Sequence, residues 1–203
     1  MSKYVSVIYI LTQLCLSCDY SNDSLSTIYD CNFIERNFIK VINNWQKLSY
    51  STNALNCQFY PSCSNYCSLA IAKKGVVKGM VIGLDRIIRC NPAAIGYHFQ
   101  QSDPKFYYDG RLIDNLEFNK SKIKKKWIVY MSVIPGMGRA YLGHKLDGFV
   151  SLAFVSFFSG ISYNSFNNNN NTIGIISGIL SALLWTSDYY GTYRTLALNQ
   201  NNN

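Results

Sequence analysis

Four cysteines, Cys57, Cys63, Cys67 and Cys90, are the residues whose type and spacing could do chemistry. Four thiolates make a complete donor set for zinc, yet five residues separate the first pair and three the second, unlike the C-x2-C knuckles of structural zinc sites. Export would allow a disulfide such as Cys57 with Cys63 or Cys90, whereas in a reducing compartment these are small buried thiols. Thiol catalysis needs a base, and the chain has two histidines, His98 and His144. The expectation is neither cofactor nor resident metal and no enzymatic activity. The alternative is a zinc- or thiol-dependent envelope enzyme built on Cys57, Cys63, Cys67 and Cys90.

The elements that must position these thiols are readable. Pro61 fixes its own backbone angle and biases Tyr60 away from helix, so the chain turns between Cys57 and Cys63, and Ser62 or Ser64 can cap the helix that follows. From Gly75 to Arg89, Val77, Met80, Val81, Leu84 and Ile88 recur at helical spacing. Lys78, Asp85 and Arg89 lie opposite them with Arg86 flanking, and Asn91-Pro92 ends the helix. Upstream, Ile34, Phe38, Val41, Ile42, Trp45 and Leu48 form one stripe of a helix over 33–48. That stripe suits a core contact with the helix at 75–89, or an interfacial helix with Trp45 at headgroup level.

The pattern C-x-F-x-P-x-C-S-x-Y, then a basic amphipathic helix carrying K-G, then R-C-x-P, resembles the YidD family of membrane-protein-insertion efficiency factors. Its residues are Cys57, Phe59, Pro61, Cys63, Ser64 and Tyr66, then Gly75, Lys78 and Gly79, then Arg89, Cys90 and Pro92. Gly96-Tyr97 and Asp103-Pro104 echo a G-x-D-P tail, so the resemblance spans about residues 33–104. Two departures stand out: Asn91 where the family usually has His, and the extra thiol Cys67. The resemblance implies a peripheral, non-enzymatic protein of the cytoplasmic membrane that assists insertion of other proteins.

Length and composition fit this picture. The chain has 203 residues, 48% of them hydrophobic, and a formal net charge of +8. A mean hydropathy near zero is too low for a polytopic membrane protein but leaves room for a few membrane segments. The charge calls for an anionic partner, and its location separates lipid from nucleic acid. Lys122, Lys124, Lys125 and Lys126 immediately precede Trp127-Ile128-Val129-Tyr130, which favours anionic lipid and argues against nucleic acid.

The rest of the chain supplies topology. Residues 1–18 read as a signal peptide or membrane-associated stretch, with Cys18 a poor lipoprotein site. Residues 30–104 form the helical domain, 105–126 a basic linker with a short hairpin about Asp109-Gly110, 127–198 a two-helix membrane hairpin and 199–203 a disordered tail. The hairpin segments are 149–163 and 172–190, joined by the tract Asn167–Asn171. Gly174, Gly178 and Ala182 would face Ser156 and Gly160, with Trp185, Tyr189, Tyr190 and Tyr193 forming an interface belt. Pro135, Gly136, Gly138, Tyr141 and Gly143 give P-G-x-G-x-x-Y-x-G, which resembles a widespread bacterial two-helix membrane module and implies topology alone.

The fold class expected is mainly α: a small cysteine-containing helical core followed by a transmembrane helical hairpin. Lys73, Lys74, Lys78, Arg86 and Arg89 are the expected contacts with anionic lipids, insertion machinery or nascent membrane proteins. The positive-inside rule puts the core on the cytoplasmic face, against the export that a cleaved signal would bring.

Overall fold

The computed structural model describes residues 30–50, 57–100, 104–117 and 127–200, and it is mainly α. The elements are α1 (Phe33–Tyr50), β1 (Phe59–Tyr60), α2 (Cys63–Lys74), α3 (Val76–Arg89), α4 (Ala94–Phe99) and β2 (Leu112–Ile113). They are followed by α5 (Trp127–Tyr130), a 3-10 turn (Met131–Val133), α6 (Met137–Tyr141), α7 (Lys145–Asn167) and α8 (Asn171–Gln200). The N-terminal apolar stretch and the lysines Lys122, Lys124, Lys125 and Lys126 lie outside the described residues. Helix α8 continues to Gln200, into the expected tail.

Helices α2 and α3 form the centre of the core. Gly75 separates them in a left-handed-φ conformation (φ 83°) that favours glycine, its N–H donating to Ile71 O at 2.9 Å. The two helices approach closely because Gly79 packs on the Ile71 backbone and Gly83 on the Cys67 side chain. The Asp109-Gly110 turn forms as expected, with one antiparallel bridge from Phe106 to Leu112. The two-residue ladder, however, is parallel and joins Phe59 to Leu112 and Tyr60 to Ile113. The segment read as a linker is thereby tied to the cysteine turn.

Helix α1 forms as its periodicity requires, but the stripe faces mostly outward. Ile34, Val41 and Trp45 are 63%, 59% and 57% exposed, with Phe33 and Phe38 also exposed. The inward residues are Ile39 and Gln46, with Ile42 partly buried. Gln46 Nε2 donates to Ser64 Oγ at 2.8 Å and to Asn65 Oδ1 at 2.7 Å, locking α1 to α2. The core contact is therefore made by one flank of the helix, chiefly with α2 and not with the helix at 75–89 as expected, and it leaves the apolar ridge exposed.

Helices α7 and α8 pair as a hairpin through a tight turn in which Asn169 takes a left-handed conformation. The pair is built inside out. Between the helices, Ser159 and Ser181 share a hydrogen bond at 2.7 Å, and Ser162 Oγ donates to Gly174 O at 2.8 Å. Outside, Phe149, Phe157, Ile173, Ile175, Ile176 and Ile179 are all more than half exposed. Small polar residues within and large apolar ones without suit a lipid surround, where apolar association supplies no driving force and close packing with hydrogen bonds does. Gly174 and Gly178 belong to the seam as expected, whereas Ser156, Gly160 and Ala182 face outward. Among the described residues α7 alone is long and apolar enough to cross a membrane; its 23 residues rise about 34 Å, against a hydrocarbon thickness of about 30 Å.

Candidate functional site

Phe59, Pro61 and Tyr66 of the C-x-F-x-P-x-C-S-x-Y pattern converge on one buried cation, Arg86. Its guanidinium lies 4.2 Å from the Phe59 ring centroid and 4.2 Å from that of Tyr66, a double cation–π contact. Arg86 Nη2 donates to Pro61 O at 3.1 Å, across a cis Tyr60–Pro61 peptide. Arg86 Nη1 donates to Asp114 Oδ2 at 2.5 Å. The turn and the first turn of α2 thus build a cage whose occupant comes from α3.

The cage opens into an ion network joining the core to the hairpin. Asp114 receives Arg86, Arg89 at 2.8 Å and Arg194 from α8. Asp85 receives Arg89 at 2.9 Å and Arg139 from α6 at 2.7 Å, and Arg139 also donates to Asp188 of α8 at 2.8 Å. Gly136 takes the left-handed conformation at the start of α6 and directs its N–H onto Asp188 at 2.8 Å. Four arginines meet three aspartates, all nearly or fully buried.

Arg86 and Arg89 are therefore not on the cationic surface that the helical pattern suggested. Charges this deep persist only when paired, and the carboxylate that the two share, Asp114, comes from a distant part of the chain, while Arg89 also meets Asp85 on its own helix. Lys74 and Lys78 are exposed, and Lys73 reaches Glu117 at 3.4 Å. Of the P-G-x-G-x-x-Y-x-G residues, Gly136 and Gly138 are buried, Gly138 against Ser132 and Thr192. Tyr141 is exposed beside the Trp127 ring, Pro135 is half-buried, and Gly143 has φ 91°. Asp114, Arg139, Asp188 and Arg194 are the site residues missed in the sequence. The available signal was an Asp and an Arg inside the otherwise apolar α8.

Burial alone would raise the carboxyls of Asp85 and Asp114, but their arginine partners overcome it and hold both below the usual range. Both carboxylates thus contribute stability that is fully present above the ordinary carboxyl pKa of about 4 and is lost as pH falls through the depressed values. Acid unfolding followed by circular dichroism should accordingly begin below about pH 4, and a midpoint between pH 5 and 6 would contradict this pairing.

Asn91, standing where the resembling family has His, donates to Ile88 O at 3.0 Å and to Asp147 Oδ1 of α7 at 2.5 Å. It closes α3 and ties it to the hairpin. The histidines lie elsewhere: His98 contacts Lys105 O at 2.9 Å, and His144 stacks on Tyr97 and meets Asp147 at 3.2 Å.

Three of the four cysteines come together. The sulfurs of Cys57, Cys63 and Cys90 lie within 4.8 Å of one another, and Cys63 N–H donates to Cys57 Sγ at 3.3 Å. Contacts with the Cys63 and Cys90 thiols pull the Cys57 thiol below its ordinary pKa, whereas contacts with Cys57 and then Cys90 push the Cys63 thiol up. Cys67 is separate, packed with Ile71, and burial raises its thiol to about 11. A four-thiolate cluster including Cys67 is thus not what the fold assembles.

Comparison with known proteins agrees with the geometry of the core. The YidD family, described as "Putative membrane protein insertion efficiency factor", matches residues 34–99. A protein of that description from Thermotoga neapolitana is 38% identical over 63 residues, 31% of this chain and 80% of the relative. One from Aquifex aeolicus is 42% identical over 48 residues, 24% of this chain and 71% of the relative. One from Syntrophomonas wolfei is 46% identical over 54 residues, 27% and 78% respectively. No solved structure matches. Through the stretch that carries the Arg86 cage and the cysteine trio, the chain belongs to the YidD family of membrane protein insertion efficiency factors.

Proposed function

We propose that the protein is a non-enzymatic accessory factor of the bacterial cytoplasmic membrane that assists insertion of integral membrane proteins, with its core on the cytoplasmic face. The observation that carries this reading is the uncovered ridge of α1, Phe33, Ile34, Phe38, Val41 and Trp45, on a core rooted in an inside-out hairpin. Full burial of one such side chain is worth roughly 1.5–3 kcal/mol. A lysine near anionic lipid contributes about 1 kcal/mol. The ridge therefore sets the depth of the core in the interface, and Lys73, Lys74 and Lys78, with Lys122, Lys124, Lys125 and Lys126, bias it towards anionic headgroups or the insertion machinery.

Trp127, Tyr130 and Tyr141 at the entry to the hairpin, with Trp185 and Tyr189 on α8, are exposed aromatics of the kind that lie at headgroup level. In a bacterium lacking its own factor of this family, the chain should restore insertion of a reporter membrane protein. Phe38→Glu with Trp45→Glu should return insertion to the level of cells without the factor while the protein remains folded. Undiminished insertion by the folded double variant would show that the ridge is not the working surface.

A further inference from the structure

We infer that Cys57, Cys63 and Cys90 form a three-thiolate site for a thiophilic cation of the zinc class, with one coordination position left to water. Zinc–thiolate bonds of about 2.3 Å place the sulfurs of a tetrahedral site about 3.8 Å apart. The trio, with every sulfur within 4.8 Å of the others and Cys57 Sγ 3.3 Å from Cys63 Sγ, brackets that spacing. Small side-chain rotations then suffice to bring all three onto one ion.

The three ligands are held by separate elements. Cys57 precedes β1, which the parallel ladder fixes to β2. Cys63 opens the 12-residue α2. Cys90 follows α3, its N–H donating to Ile87 O at 3.1 Å. Cys63 N–H also points at Cys57 Sγ, the kind of contact that supports a charged sulfur. All three cysteines are half-buried, so an ion can arrive from solvent without unfolding the core. The C-x2-C criterion misses such a site because it detects ligands that share one knuckle.

Loading exchanges three thiol protons for one divalent ion, the protons passing to buffer. Three protein ligands leave zinc an exchangeable position, as in sites that bind a further group, and not the closed shell of a purely structural one. A Cys57–Cys63 disulfide would remove two of the ligands, so the site requires reduced protein.

The test is titration of reduced full-length protein in detergent with Zn2+ against a chromophoric chelator, then with Co2+. The expected result is one equivalent per chain and a thiolate-to-cobalt charge-transfer band of three-thiolate intensity. Cys57→Ser, Cys63→Ser and Cys90→Ser should each weaken binding by more than the roughly 10- to 100-fold typical of outer-shell partners. Cys67→Ser should leave affinity unchanged. Absence of stoichiometric zinc, a cobalt complex lacking the thiolate band, or an equal loss in Cys67→Ser would overturn the assignment. Where a serine variant fails to fold, the cobalt spectrum of the unaltered chain decides.

Discussion

Replacing Asp114 by asparagine is expected to destabilise the protein by about 3–5 kcal/mol, the range found when one partner of a buried ion pair is removed. Asp114 is 7% exposed and is the common acceptor for Arg86, Arg89 and Arg194. Asparagine preserves the shape but withdraws the negative charge and turns N–H donors towards guanidiniums. The like charges then face one another with Asp85 as the nearest remaining anion to Arg89. For a chain of this size each kcal/mol shifts Tm by about 2–4 °C, so the fall should be roughly 6–20 °C in a detergent melt. Asp109→Asn, which removes an exposed partner of Arg111, should barely move the same melt. A Tm within about 2 °C of the parent for Asp114→Asn would mean that the network does not hold the fold together.

Gly191→Ala should be nearly as damaging, and for a steric reason. Gly191 lies on α8 where Arg139 and Asp85 meet, and an added Cβ would overlap both Arg139 Nη2 and Asp85 Oδ1. In an ordinary helix the same change would stabilise by up to about 1 kcal/mol through helix propensity. Here the methyl forces apart an ion pair in which both side chains are 0% exposed. The expected net loss is at least about 2 kcal/mol, read as a lower Tm, because breaking the pair outweighs the propensity gain. A rise in Tm would show that α8 does not press on this pair.

Much of the fold was legible in local pattern. The helix read at 33–48, the helical run from Gly75 to Arg89, its stop at Asn91-Pro92 and the paired C-terminal helices follow from periodicity, glycine and proline, which act within a few residues. Periodicity also announced the stripe of Ile34, Val41 and Trp45, but it reports that a face is apolar and not what covers it. Arg86 and Arg89 were read as surface cations for a related reason. Their carboxylate at Asp114 lies 28 and 25 residues away, and Arg194 reaches it from 80 residues away. No spacing rule spans such distances. The cysteines show the converse: the thiols adjacent in sequence, Cys63 and Cys67, part company, because one opens the helix and the other turns inward against Gly83.

The charges that weld the two halves also divide cleanly between them. Asp85 and Asp114 with Arg86 and Arg89 form a neutral quartet drawn entirely from residues before the hairpin. Asp188 with Arg139 and Arg194 is the hairpin's own contribution, carrying one surplus positive charge into the joint. The core's own charges therefore balance before the hairpin is counted, and Arg139 and Arg194 reach its two acids, Asp85 and Asp114, from the hairpin. Under the proposed function, this joint fixes where the α1 ridge stands relative to α7, and so how far the ridge reaches into the interface.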